Sequence, residues 1–196
     1  MSPGWVLPSS LPTNLTLPPK HPGYAFPVLA KTVSYGRSHH DYPATDIFAP
    51  CGSAVLAPVT GRITGVSRVD RWSPSRDDGA TRGGLSVTIL GVDGVRYYGS
   101  HLRSLTGLAV VGRKVVVGDR LGTVGKTGDA RSVACHLHFG ISPACGQDDW
   151  WNRRGMLSPF PYLKSWQAHH NLSPAGPVKK LLRTHRCLKA PGDIDP

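Results

Sequence analysis

Cys135-His136-Leu137-His138-Phe139-Gly140 sets two imidazoles one residue apart among apolar neighbours. Such a stretch suits a β-strand, in which side chains alternate, so His136 and His138 share one face. Two imidazoles side by side on a rigid face can bind a metal ion or pass a proton between them. Alone, a His-x-His pair is equally well read as two histidines on a solvated strand. Two other segments carry residues of the same chemistry. One is Ser38-His39-His40-Asp41-Tyr42-Pro43-Ala44-Thr45-Asp46-Ile47, and the other is Tyr97-Tyr98-Gly99-Ser100-His101-Leu102, at the end of a strand-like run. Three protein ligands drawn from imidazole and carboxylate, with one coordination position left open, describe a catalytic zinc centre.

The elements that must position these residues are β-strands. Residues 54–57 and 61–66 read as short strands around Pro58, and residues 85–90 and 95–98 flank Asp93-Gly94, a strong hairpin signal. Short apolar runs then follow, cut by glycines at positions 112, 118, 122, 125 and 128. No long segment shows a helical apolar stripe. The expected fold class is all-β, an antiparallel sheet core with tight Gly-rich turns. Residues 1–28 hold seven prolines and read as an extended leader or linker, because proline resists helix and sheet interiors. Residues 29–145 form the β-sheet domain. Residues 146–196 form an aromatic and basic extension, read as irregular. Its Trp150-Trp151 pair is expected to cover the sheet, and its basic residues to be solvated.

Composition narrows the chemistry. The chain has 196 residues and a net charge of +11, which draws it to polyanions such as nucleic acid, anionic lipid or an anionic cell wall. All twelve acidic residues are Asp. A His-Glu-x-x-His protease, which needs Glu as its base, is therefore excluded. No 18-residue apolar run exists to span a membrane, and the first residues lack the basic start and apolar core of a secretory signal. No nucleic-acid motif accompanies the basic tail. The four cysteines include no Cys-x-x-Cys pair, so a zinc knuckle is not expected. Cys135 and Cys145 flank the His-x-His strand and are the preferred disulfide pair, with four buried thiols as the alternative.

Taken in order, these segments resemble the M23 (LytM/lysostaphin-type) zinc metallopeptidases. That family runs ligand His, ligand Asp, catalytic His after a Tyr, and a closing His-x-His, which here are His40, Asp46, His101, and His136 with His138. Thr45-Asp46-Ile47 followed by residues 52–61 matches too, as does Gly118-Asp119-Arg120-Leu121-Gly122 followed by Gly125-Lys126-Thr127-Gly128. The resemblance covers about residues 30–142. It implies zinc held by His40, Asp46 and His138. His101 and His136 are then the catalytic pair, one moving the proton and one stabilising the oxyanion, with Tyr98 as a further donor or a packed strand residue. The family often sets its ligand His and Asp closer together; here they are six residues apart. That even offset keeps both on one face of a strand, whereas His39 falls on the other and is the second choice. The resemblance further implies a peptidoglycan peptide substrate, affinity for anionic wall polymers and an extracellular or envelope location. The alternative is a non-enzymatic regulator of the same fold that activates another wall hydrolase.

Overall fold

The computed structural model describes residues 23–146 and 149–188. Two antiparallel sheets dominate it. The smaller runs in the order β1 (Val28–Leu29), β4 (Ala54–Leu56), β10 (Arg120–Val124), β8 (Leu102–Leu105). The larger runs β2 (Ser34–Tyr35), β3 (Ala44–Phe48), β11 (His136–Pro143), β7 (Val95–Ser100), β6 (Ser86–Gly91), β5 (Gly61–Ser67), β9 (Lys114–Val115). The hairpin expected at Asp93-Gly94 joins β6 to β7, with Gly94 at a φ of 76°. The all-β class stands.

Strand alternation gives the central strand β11 two jobs. Leu137, Phe139 and Ile141 face the hydrophobic core, where they meet residues of both sheets such as Ile47, Val55, Ile89 and Leu121. His136, His138, Gly140 and Ser142 face the other way. All eight residues of β11 are nonetheless buried, so its second face is also covered.

Part of that cover is the start of the C-terminal extension, whose Arg153 and Arg154 backbone lies against Gly140, while its later helices join the core on the other face; the extension is not irregular. It carries α1 (Trp150–Arg153), α2 (Phe160–Gln167) and α3 (Ala175–His185). Pro159 and Pro161 sit at the start of α2, where the missing N–H costs nothing. The buried face of α2 is Tyr162, Leu163 and Trp166. Trp166 stacks on Tyr24, ring centroids 5.1 Å apart, and lies near Tyr97 and Phe139. Tyr24 and Tyr97 both donate to the Asp93 carboxylate, at 2.9 and 2.6 Å. The described end of the leader is thus built into the core beside the extension; the remainder of the expected leader lies outside the described residues.

Three links tie α1 down. Arg96 on β7 and Asp149 form a bidentate ion pair at 2.7 and 3.0 Å, each side chain 7% exposed. Asn152 bonds the backbone of Leu188 through both ends of its amide. Cys145 is disulfide-bonded to Cys187, Cα atoms 5.8 Å apart.

The second disulfide joins Cys51 to Cys135, Cα atoms 5.3 Å apart. The expected Cys135–Cys145 pair is corrected, and so is the free-thiol alternative. Cys135 and Cys145 stand at opposite ends of the eight-residue strand β11. At about 3.3 Å per residue a strand holds its ends far beyond disulfide reach.

Asp149→Ala removes one partner of the buried pair and strands the Arg96 guanidinium. The expected loss is about 3–5 kcal/mol in denaturant unfolding, whereas a conservative change at an exposed basic residue of α3 such as Lys179 leaves the midpoint unchanged.

Candidate metal centre and active site

Three neighbouring strands carry the site. β11 pairs with β3 so that His138 lies opposite Asp46, and with β7 so that His138 lies opposite Ser100. Cross-strand partners on one face have Cβ atoms about 5 Å apart, so register alone brings imidazole and carboxylate together. His138 Nδ1 is 2.9 Å from Asp46 Oδ1. His136, two residues along, has its Nε2 4.0 Å from the same oxygen.

His101 arrives by a different device. It follows the last residue of β7 and takes a φ of 62°, a left-handed conformation that a non-glycine residue adopts at a cost. The reversal turns its ring onto the face shared by the other histidines, with centroids 4.9 Å from His136 and 5.9 Å from His138.

The fourth histidine is His39. One ligand atom from each of His39, Asp46 and His138 lies within 4.8 Å of the others. The family resemblance put His40 in this place, and strand parity favoured it over His39. Parity fails because residues 39–43 are not strand. The His39 N–H donates to the Ala44 carbonyl at 2.9 Å and the Ala44 N–H to the Tyr42 carbonyl at 2.8 Å, closing a tight loop. His39 stands at its neck, with Nε2 3.7 Å from Asp46 Oδ2. His40 lies on the loop, exposed.

The donor chemistry fits a cation. His138 Nε2 lies 3.0 Å from the Arg154 carbonyl, which only accepts, so Nε2 bears the proton. Nδ1 then faces a carboxylate that also only accepts. A neutral imidazole has one proton, so that contact needs either a second proton on His138 or a metal ion. His39 Nδ1 is buried with no hydrogen-bond partner, which leaves that ring without a bond to fix its role. His39, Asp46 and His138 are the residues able to hold a divalent ion, and His138 donating to a backbone carbonyl is the usual arrangement behind a metal-bound imidazole.

The two remaining histidines are set differently. His136 Nδ1 is 2.9 Å from the Ala134 carbonyl and His101 Nδ1 is 2.8 Å from the Thr127 carbonyl. Each carbonyl fixes the proton on Nδ1 and leaves Nε2 as a free acceptor. Burial, with the neighbouring His138 and His136, pushes His101 down to about 3, so it is neutral at pH 7. Burial drives Asp46 upward, but the hydrogen bond to His138 and the positive charge of His138, His136 and His39 outweigh it and hold the carboxyl at about 2.

A cleft of about 160 Å³ opens on this face. His39, His101 and His138 form its floor, Tyr98 and Asp129 line it, and Arg82, Arg153 and Arg154 stand around it. The Arg154 carbonyl and the side chains of Arg153 and Arg154 carry no signal in the sequence, because nothing in the extension marks it as part of this site.

Residues 40–149 match the family described as Peptidase family M23. The match opens at His40, one residue past the histidine that the geometry places beside Asp46. An L-Ala–D-Glu endopeptidase of Bacillus subtilis (strain 168) is 27% identical over 139 residues, covering 68% of this chain. The chain spans 37% of that relative's length. The catalytic domain of the antimicrobial peptidase lysostaphin from Staphylococcus simulans is 26% identical with a TM-score of 0.50, over 67% of this chain and 89% of that one. The structure of a putative glycyl-glycine endopeptidase LytM from Ruminococcus gnavus ATCC 29149 superposes with a TM-score of 0.58 at 23% identity, over 76% of this chain and 62% of that one, a likeness of fold.

Acid should unfold the metal-free protein in a defined window. His101 has its folded pKa below the ordinary 6.5, so as pH falls below 6.5 the unfolded chain binds a proton that the folded chain refuses. Stability therefore drops from pH 6.5 towards 3. Asp46, low in the folded state, adds stability above 3.8 that is lost as pH falls towards 2. In chelator-treated protein, His101→Asn is expected to flatten the upper part of a Tm-against-pH curve and leave the lower part.

Proposed function

The chain belongs to peptidase family M23, and from that premise we propose that it is a zinc metalloendopeptidase hydrolysing peptide bonds of peptidoglycan. The observation that carries the reading is the meeting of His39, Asp46 and His138 on one face, with His101 and His136 beside them. In this reading His39, Asp46 and His138 hold zinc. Two imidazoles and one carboxylate are a ligand set of catalytic zinc sites, with a coordination position left open. Bound there, zinc would polarise the scissile carbonyl and lower the pKa of a water from 15.7 to about 7.

The chain's own residues manage the proton. His136 and His101 both present a free Nε2 in their resting tautomers. The one that takes the proton from the attacking water becomes a donor and can return it to the leaving amine. The other, or Tyr98 on the cleft wall, faces the oxyanion. No Glu is needed, which agrees with a chain that has none. Burial keeps His101 unprotonated at neutral pH and so available.

The substrate and the location are supported by three things. A relative carries the name of an L-Ala–D-Glu bond, a linkage of wall stem peptides. The net charge of +11 favours residence on an anionic wall. Two disulfides, Cys51–Cys135 and Cys145–Cys187, suit an oxidising compartment outside the cytosol. Among the described residues no helix is long and apolar enough to cross a membrane.

Purified wall incubated with the protein is expected to release free amines, to stop doing so with a chelator, and to resume with added zinc. His136→Ala should lower kcat by about 10²–10⁴ while the zinc content stays at one ion per chain. Wall left intact by zinc-loaded protein would overturn the reading. The ligand choice has its own test: after dialysis His39→Ala and His138→Ala should lose the metal, and His40→Ala should keep it.

A further inference from the structure

Two cations at the cleft have no carboxylate partner among the described residues. Arg153 and Arg154 both line it, and among the described residues neither forms an ion pair with a carboxylate. The Nε atoms of both are buried without a hydrogen bond. Arg82, the third arginine of the cleft, is already bound to Asp77 at 2.6 Å. Asp41 and Asp129 also line the cleft, but neither comes within ion-pair distance of Arg153 or Arg154.

These side chains are held in place. The Arg154 guanidinium lies 4.0 Å from the centre of the Tyr42 ring and 5.2 Å from that of Trp150. The Arg153 guanidinium lies 5.1 Å from the Tyr98 ring centre. Stacking on an aromatic face keeps the planar fork oriented and its N–H edge available. A partly desolvated guanidinium gains most from a carboxylate, which it grips through two parallel hydrogen bonds. Both arginines lie past residue 149, where the family match ends.

We propose that Arg153 and Arg154 form a carboxylate subsite, and that the chain selects peptides bearing a free carboxylate close to the bond it cuts. The proposal rests on the peptidase reading of the same cleft and narrows its substrate. A stem-peptide D-glutamate linked through its side chain keeps such a free α-carboxylate. Its amidated form, D-isoglutamine, does not, so the subsite distinguishes two wall chemistries that differ by one functional group.

Binding, measured without turnover, tests this separately from hydrolysis. Zinc-loaded His136→Ala protein is titrated calorimetrically with L-Ala-γ-D-Glu-L-Lys and with the same peptide carrying a carboxamide in place of the α-carboxylate. The acid is expected to bind about ten- to a hundredfold more tightly, the range of a charge-assisted hydrogen bond. Adding Arg153→Gln and Arg154→Gln together should bring that ratio close to one, and the corresponding Lys substitutions should retain part of it. The ratio is internal to each variant, so partial misfolding does not mimic the result. Equal binding of both peptides, no binding of the acid at millimolar concentration, or a ratio unchanged by the double Gln substitution would each overturn the proposal. The last outcome would assign the preference to zinc or to Arg82, and a matched weakening of both peptides would leave the arginines a structural role only. Wall that stays intact while the acid preference holds counts against the peptidase reading and not against the subsite.

Discussion

His138 sits between two acceptors. The Arg154 carbonyl is 3.0 Å from one ring nitrogen and the Asp46 carboxylate 2.9 Å from the other. A neutral imidazole satisfies only the first. The second contact stays favourable when a positive charge lies on that side of the ring. Much of the fold serves to keep this arrangement in place. The β3–β11 register fixes Asp46 opposite His138. The extension delivers the carbonyl. Gly140, next on the same face, lets it come close: a Cβ there would overlap the Arg154 backbone, so any larger residue would lift the extension off β11.

A buried central strand normally has helices or a second sheet on both faces. Here the smaller sheet and α2 lie on the core face, and the Arg153–Arg154 backbone lies against the other face at Gly140. That face is therefore partly covered, with the cleft left open beside the histidines, and the covering segment is pinned by an ion pair, an amide and a disulfide. The second disulfide stands directly before His136, through Cys135. It ties the entry of β11 to the loop after β3, the strand of Asp46. Both covalent links thus act on segments that set distances in the site, one at each end of β11.

The sequence made the sheet legible because alternation and the Asp93-Gly94 turn are local signals. His136 and His138 could be placed on one face from period alone, and His101 could be placed at a strand end. Asp46 needed only an adjacent strand. What failed were inferences that treated loops as strands or long-range contacts as local ones. His39 and His40 differ by one residue, and parity decides between them only if the backbone is extended. The loop closed by Ala44 removes that condition. The helices were hidden for another reason. The buried face of α2 has only three residues, and α3 buries a single apolar one, Val178. So short a stripe does not rise above chance, and the two prolines at the start of α2 argue against a helix unless its boundary is known.

The same extension carries both a stabilising and a destabilising load. Two guanidinium groups partly buried with no carboxylate among the described residues disfavour the folded state. A disulfide closing a loop of 42 residues contributes in the opposite direction, by roughly 4 kcal/mol in the chain-entropy account. Arg96, the neighbouring cation, is fully paired with Asp149, so the sequence does supply a carboxylate where the purpose is structural. Arg153 and Arg154 could have been neutralised the same way. Asp41 and Asp129 are in the cleft and stop short of them. Cations held on aromatic rings, out of reach of Asp41 and Asp129 and secured by covalent and ionic anchors match a site organised before its ligand arrives. A solvated basic tail would require none of those anchors.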